Sequence, residues 1–269
     1  MRIHIDQVID YVSCPALYKF RNVDKLEPPQ PKKGRPTKNS IVELYDEALH
    51  KAVAYIFNSV QDGRYPSLTN MKNRWGKLWI APRAKQEDIK FKQVSWRDTH
   101  ELKRKQGWDK IEKLWLHYKE DPGSPIMVNY PYTVQIGKHT LEGTIDLVRV
   151  AKKENGREHI EMVEFITDER NAPFLHTRRD WRVTAASYAF RKIMKANEEK
   201  IVYHGIISGK LLDTTRDEQD YKQLEHLLDA IEHMQTHEIY YPVFNERCNS
   251  CSYQKYCEKG WFDVKTSKQ

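Results

Sequence analysis

The chain has 269 residues, with 45 Lys and Arg against 38 Asp and Glu, a net charge of +7 and a pI near 9.0. Hydrophobic residues make up 39% and aromatic residues 11%, enough for a sizeable core, which excludes a disordered or collagen-like chain. No window approaches the ~20 uninterrupted apolar residues of a membrane span. The opening MRIHIDQVIDYVSCP lacks the basic region and apolar run of a secretory signal, so the expectation is a soluble, cytoplasmic protein with no membrane partner.

In chain order, Asp6 can cap a short helix carrying Val8, Ile9 and Val12, which Cys14-Pro15 interrupts. EPPQPKKGRPTK is a loop. From Asn39 to Val60, Ile41, Leu44, Tyr45, Ala48, Leu49, Ala52 and Ile56 recur at helical spacing. A second helix over Ser95 to Tyr118 has Leu102, Ile111, Leu114, Trp115 and Tyr118 as its expected buried stripe. After Asp121-Pro122-Gly123 the pattern turns to strands at Ile126–Ile136, Thr140–Val150 and His159–Thr167, with Gly137-Lys138 as a hairpin turn. A helix at Arg178–Ala196, a strand at Ile201–Ile207 and a helix at Asp217–Gln235 follow. The expected division is a helical region over 1–125, an α/β core over 126–236 and a C-terminal segment over 237–269, all within one integrated domain.

Cys14 stands alone, whereas Cys248, Cys251 and Cys257 fall together in RCNSCSYQKYC. Clustered thiols in a reducing compartment point to metal, and four thiolates suit zinc and an iron–sulfur cluster equally by count. Two acids sit inside apolar strands, Asp146 in LEGTIDLV, with Ile145 and Leu147 facing away from it, and Glu164 in EMVEFIT. Buried carboxylates that converge repel each other unless a cation lies between them, and a hard divalent ion such as Mg²⁺ or Mn²⁺ is the economical partner.

The element order, the GxxD run from Gly143 to Asp146, the strand acid Glu164, the early Cys14-Pro15 and the three late cysteines together resemble the RecB-like branch of the PD-(D/E)XK nucleases. More narrowly, the chain looks similar to the iron–sulfur members, which include AddB-type nuclease domains and CRISPR-associated RecB-like exonucleases. The resemblance spans nearly the whole chain. It implies a restriction-endonuclease-like α/β fold, with a mixed central sheet flanked by helices. It also implies that Cys14, Cys248, Cys251 and Cys257 hold a 4Fe-4S cluster joining the two ends. His50, Asp146, Glu164 and the Phe165 carbonyl would hold Mg²⁺ or Mn²⁺. The implied partner is DNA, as single strands or duplex ends, with a helicase or recombination complex alongside, in a prokaryotic or phage setting.

Two positions depart from the family pattern. Ile166 stands where an active member has lysine, and Thr184 stands where a glutamine precedes Tyr188 by four residues. Three readings follow, of which the two changes favour the first. Catalysis is lost and the fold holds DNA; a cation from the next helix, Arg178, Arg179 or Arg182, replaces the lysine; or Asp168 and Arg170 supply a shifted acid and cation. Arg178, Arg179, Trp181, Arg182 and Tyr188 form a basic and aromatic surface for DNA, and KNRWGKLW offers a second around Trp75 and Trp79. A different class of function, a structural iron–sulfur or zinc module that binds protein, would differ in lacking salt-dependent DNA affinity.

Overall fold

The computed structural model describes residues 1–27, 38–87, 94–153, 155–167, 180–206, 208–245, 248–249 and 251–262, leaving aside the side chains of 38–43, 80–87, 94–100 and 259–262. Its strands are β1 (Arg2–His4), β2 (Ser124–Ile136), β3 (His139–Lys152), β4 (Glu158–Ile166), β5 (Lys200–Gly205) and β6 (Leu211–Thr214). The helices are α1 (Ile5–Ser13), α2 (Pro15–Tyr18), α3 (Lys38–Gln61), α4 (Leu68–Glu87), α5 (Val94–Glu120), α6 (Trp181–Met194), α7 (Glu218–Thr236) and α8 (Gln254–Phe262). Among the described residues, no helix is long and apolar enough to cross a membrane.

The sheet is mixed, in the order β1-β3-β4-β5-β6, with β2 paired along the other edge of β3. The β2–β3–β4 meander is antiparallel, as its alternating sequence predicts, and β5 lies parallel to β4. Helices α1, α6 and α7 meet one face of the sheet around Ile145, Val183, Phe190 and Leu228. Helices α3, α4 and α5 cover the other around Leu49, Phe57, Leu147 and Phe165. In α3 the buried positions Tyr45, Ala48, Leu49, Ala52, Val53, Ile56 and Phe57 repeat at three and four residues, which makes one continuous apolar stripe.

One edge of β3 is shared. β1 pairs with it in parallel over Thr140–Glu142, and β4 takes over from Leu147 to Lys152. Between them the sheet forks at residues 143–146. Gly143 makes the fork possible, because a Cβ there would lie 2.4 Å from the Tyr132 hydroxyl and 2.9 Å from Ile5 Cγ2. Ile145 and Val148 face one core and Leu147 the other, so strict alternation breaks at Asp146. Asn129 lies opposite, between the pairs Val128–Leu147 and Tyr130–Ile145, and its left-handed φ of 45° accounts for the kink. The expectation that Ile145 and Leu147 share a face is corrected accordingly.

Other local expectations change for physical reasons. His4, not Asp6, caps α1: its ring accepts from the Asp6 amide, while Gln7 returns a bond to the His4 amide. Leu102 is 56% exposed, outside the buried stripe of α5. Trp75 and Trp79 are 2% and 1% exposed and stack with centroids 5.7 Å apart, so they anchor the helical layer and are not stacking surfaces for DNA.

Far along the sheet from the fork, Arg149 and Glu161 form a buried pair, with Nε and Nη2 3.0 and 2.9 Å from Glu161 Oε1, and Lys200 lies 3.0 Å from Oε2. Burial acts to raise the Glu161 carboxyl, but Arg149 and Lys200 outweigh it and hold the group below the usual carboxylate range. A depressed pKa stabilises the fold above the ordinary value of 4.5, and that stability is lost as pH falls through the depressed value. Urea unfolding between neutral and acid pH is expected to show this loss. Glu161→Gln should flatten it while lowering stability at neutral pH by about 3–5 kcal/mol, because Arg149 then loses its buried counter-ion.

Candidate metal centre and cysteine cluster

The fork brings together side chains from β3, β4, α3 and the start of α6, with α1 and β2 alongside. Asp146, at the kink of β3, is beyond the end of the β3–β4 ladder, and its Oδ2 accepts from the Phe165 amide at 3.0 Å. The carboxylate thus caps an N–H that no strand pairing reaches, and this fixes its orientation. His50 on α3 places Nδ1 3.6 Å from the same Oδ2. Glu164 follows on β4, 9% exposed, alternating with Met162 and Ile166 on the sheet face that α6 covers.

Burial raises the Glu164 carboxyl well above the usual carboxylate range, and the Asp146 and Asp180 carboxylates push it further, against the opposing pull of Arg182. Arg182 reaches the fork from the first turn of α6, with Nη2 2.9 Å from Asp6 Oδ1. Burial would lower its pKa, yet Glu164, Asp6, Asp180 and Asp146 outweigh it and raise the guanidinium above its ordinary value. Asp180 caps α6 by accepting from the amides of Arg182 and Val183 at 2.9 and 3.4 Å, which fixes where the helix begins. The Tyr132 hydroxyl is buried without a hydrogen-bond partner among the described residues, and Glu164, Arg182 and Asp6 are its charged neighbours.

By chemistry this donor set suits a hard divalent cation, although His50, Asp146 and Glu164 do not bring three donor atoms within 4.8 Å of one another and would have to close on the ion. Two carboxylates and one imidazole supply oxygen and nitrogen, and an added positive charge would offset the burial and the carboxylate repulsion that raise the Glu164 carboxyl. Asp6, Asp180 and Tyr132 went unremarked in the sequence as contributors. Asp6 reaches the fork only because β1 pairs with β3, and Asp180 only because it begins α6.

Ile166 packs against the core on the Glu164 face, so no cation stands at that strand position. Thr184 is buried, with its hydroxyl donating to the Asp180 carbonyl and accepting from Arg216 Nε at 2.7 Å. Trp181 packs against the same core, and the Tyr188 hydroxyl donates to the Gln135 carbonyl at 2.9 Å. Arg178, Arg179, Asp168 and Arg170 lie outside the described residues.

A second group of donors brings His139, Asp229 and Glu232 within 4.8 Å of one another. Lys138 already answers those carboxylates, its Nζ lying 3.2 Å from Asp229 and 2.8 Å from Glu232, so the group is a salt-bridge network.

At the other end of α1, all four cysteines line one cavity of about 460 Å³. Cys14 closes α1 and opens α2, where Pro15 occupies the first helical position. The Val243 amide lies 3.4 Å from Cys14 Sγ, and the Ala16 amide donates to the Tyr241 carbonyl, so the two ends of the chain touch at this cavity. Phe20 stacks on Tyr253 with centroids 6.2 Å apart, and Tyr256 donates to the Glu27 carbonyl. Burial raises the Cys251 and Cys257 thiols, and the neighbouring cysteines add to the shift. A bound metal would reverse that preference by holding thiolates.

A family model described as the PD-(D/E)XK nuclease superfamily matches residues 5–258. The solved structure titled "Crystal structure of SSO0001" is similar at 14% identity and a TM-score of 0.38, covering 95% of this chain and 85% of that one. Searching curated proteins gave no match.

Proposed function

Because the chain belongs to the PD-(D/E)XK nuclease superfamily, we propose that it is a divalent-metal-dependent deoxyribonuclease of the RecB-like, iron–sulfur type, acting on single strands or duplex ends. The observation that carries this reading is the meeting of Asp146, His50, Glu164 and Arg182 at the fork of the sheet, with Glu164 buried beside a second acid. Asp146, Glu164, His50 and the Phe165 carbonyl would hold Mg²⁺ or Mn²⁺. When bound, the ion supplies a Lewis acid for the phosphoryl oxygen and acidifies a water to make the nucleophile.

The protein's own groups supply the rest. Arg182, a guanidinium flanked by carboxylates, would offset the negative charge that develops on the phosphoryl oxygens as the P–O bond breaks, which is the electrostatic part of the work a lysine would do at position 166. Its ion pair with Asp6 holds the guanidinium before substrate arrives, so little reorganisation accompanies the reaction. Guanidinium does not give up its proton, so it serves as a charge stabiliser and not as a base.

The four cysteines would hold a 4Fe-4S cluster as a structural clasp between the chain ends. Support comes from their shared cavity, where the two ends of the chain meet.

The test is incubation of anaerobically purified protein with end-labelled single- and double-stranded DNA in Mg²⁺ or Mn²⁺. Cleavage is expected, and Asp146→Ala should reduce it by about 10³-fold or more. Ile166 and Thr184 favour a second reading, a fold that holds DNA without cutting it. Salt-sensitive binding by wild type with no cleavage in either metal would select that reading and overturn the first.

A further inference from the structure

The positive charge of this chain is unevenly placed. Across Leu68–Glu87 and Val94–Glu120 there are twelve Lys and Arg against six Asp and Glu, an excess of six within a net charge of +7. The two helices pack on each other and on α3, and a cleft of about 570 Å³ opens between them. It is lined by Lys72, Trp75, Gly76, Arg104, Lys105 and Trp108, among others.

The two glycines of this hairpin have opposite surroundings. A Cβ on Gly107 would lie 2.2 Å from the Trp75 ring, so its absence lets α5 settle onto that buried indole. A Cβ on Gly76 would meet nothing within 4 Å, so the cleft stays open beside it. Trp108 is only half-buried, Lys72 Nζ stands 5.9 Å from its ring centroid, and Lys105 and the apolar Leu102 are exposed along the rim, where Arg104 is paired with Glu101 at 2.9 Å. A half-exposed indole flanked by ammonium groups is the pairing that single-stranded nucleic acid uses, since bases stack on the ring while phosphates meet the cations. A duplex keeps its bases stacked on each other and offers no face to an indole.

We propose that the α4–α5 cleft is a holding site for single-stranded DNA, with Trp108 as the stacking platform and Lys72 and Lys105 as phosphate contacts. The site is separate from the carboxylate fork, and its functional meaning rests on the nuclease reading above. Helix α3 links the two. Tyr45 packs edge-on against Trp75 at 6.2 Å, and His50 follows five residues later, about 7.5 Å further along the helix axis.

The test is fluorescence anisotropy with a labelled oligothymidine of about 20 nucleotides in metal-free buffer, so that cleavage plays no part. Trp108→Ala is expected to weaken binding roughly ten-fold. Lys72→Glu with Lys105→Glu should weaken it at least as much and reduce the dependence of log affinity on log salt by about 1.4. Gly76→Leu, which fills the open space, should also weaken binding. The two charge reversals change exposed side chains and leave the core intact, so they test the cleft even if Trp108→Ala proves unstable. Wild-type affinity in the double charge-reversal protein would overturn the proposal. Loss of binding in the cleft variants of a protein that never cuts DNA would uphold the cleft and refute the nuclease reading.

Discussion

Replacing Arg182 by Gln is expected to lower the rate of DNA cleavage by about 10²–10³-fold, and adding Ile166→Lys to that variant should recover a large part of the loss. The first effect follows from position. Arg182 is a described cation whose pKa is raised, against the effect of burial, by Glu164, Asp6, Asp180 and Asp146 together, and the ion pair with Asp6 holds it beside the fork. The second follows from the period of a strand. Residue 166 lies on the same face as Glu164, two positions along β4, so a lysine there enters the same electrostatic environment from the sheet. Ile166 packs only at the edge of its core, and the long apolar stem of lysine can occupy that space while its head reaches the carboxylates. Single-turnover cleavage of an end-labelled strand in Mn²⁺ reads both effects. An Arg182→Gln protein as fast as wild type would remove Arg182 from the reaction.

Cys14→Ser is expected to bleach the brown colour of anaerobically purified protein and to lower stability by an amount on the order of 5 kcal/mol. A clasp between Cys14 and the cysteines from Cys248 to Cys257 closes nearly the whole chain into one loop. The entropy removed from the unfolded chain by such a closure is of that size. The surrounding contacts are modest: Ala16, Phe20 and Tyr253 form a small core of their own. Without the clasp, these contacts and the hydrogen bonds from Ala16 to Tyr241 and from Tyr256 to Glu27 would hold the C-terminal segment to the start of the chain. Visible absorbance, iron and zinc content and thermal unfolding distinguish the outcomes. A colourless wild-type protein with stoichiometric zinc would replace the cluster by a zinc ion.

Much of this architecture is legible in the sequence. The β2–β3–β4 meander announces itself by alternation and by the Gly137 turn, α3 by its stripe, and α7 by a cap at Asp217. The pairing of Asp146 with the Glu164 strand follows once those strands are placed. Three features are not legible, each for a physical reason. β1 has three residues and pairs with β3 about 138 positions away, too short and too remote to leave a periodic signature. α4 carries a polar sequence in which the buried Met71, Trp75 and Trp79 fall one turn apart, but they are so few among Lys, Arg and Asn that the stripe is easily passed over. The face switch at Asp146 depends on a left-handed Asn129 on the neighbouring strand, which no pattern within β3 encodes. Both unforeseen acids of the fork, Asp6 and Asp180, sit at helix beginnings, and tertiary pairing alone brings them beside Glu164.

Titration of the protein with Mn²⁺, followed by calorimetry or by the paramagnetic resonance of the free ion, bears most directly on the claim that the fork is a metal centre. It needs neither substrate nor turnover. Wild type is expected to bind Mn²⁺ at the fork, and Asp146→Ala and Glu164→Gln are each expected to abolish that binding. The bound ion should also raise the thermal midpoint of wild type, by about 2.7 kcal/mol of stability at a hundred-fold excess over Kd, and leave the two variants unmoved. Absence of Mn²⁺ binding in wild type, or binding that survives both substitutions, would contradict a metal centre at Asp146 and Glu164.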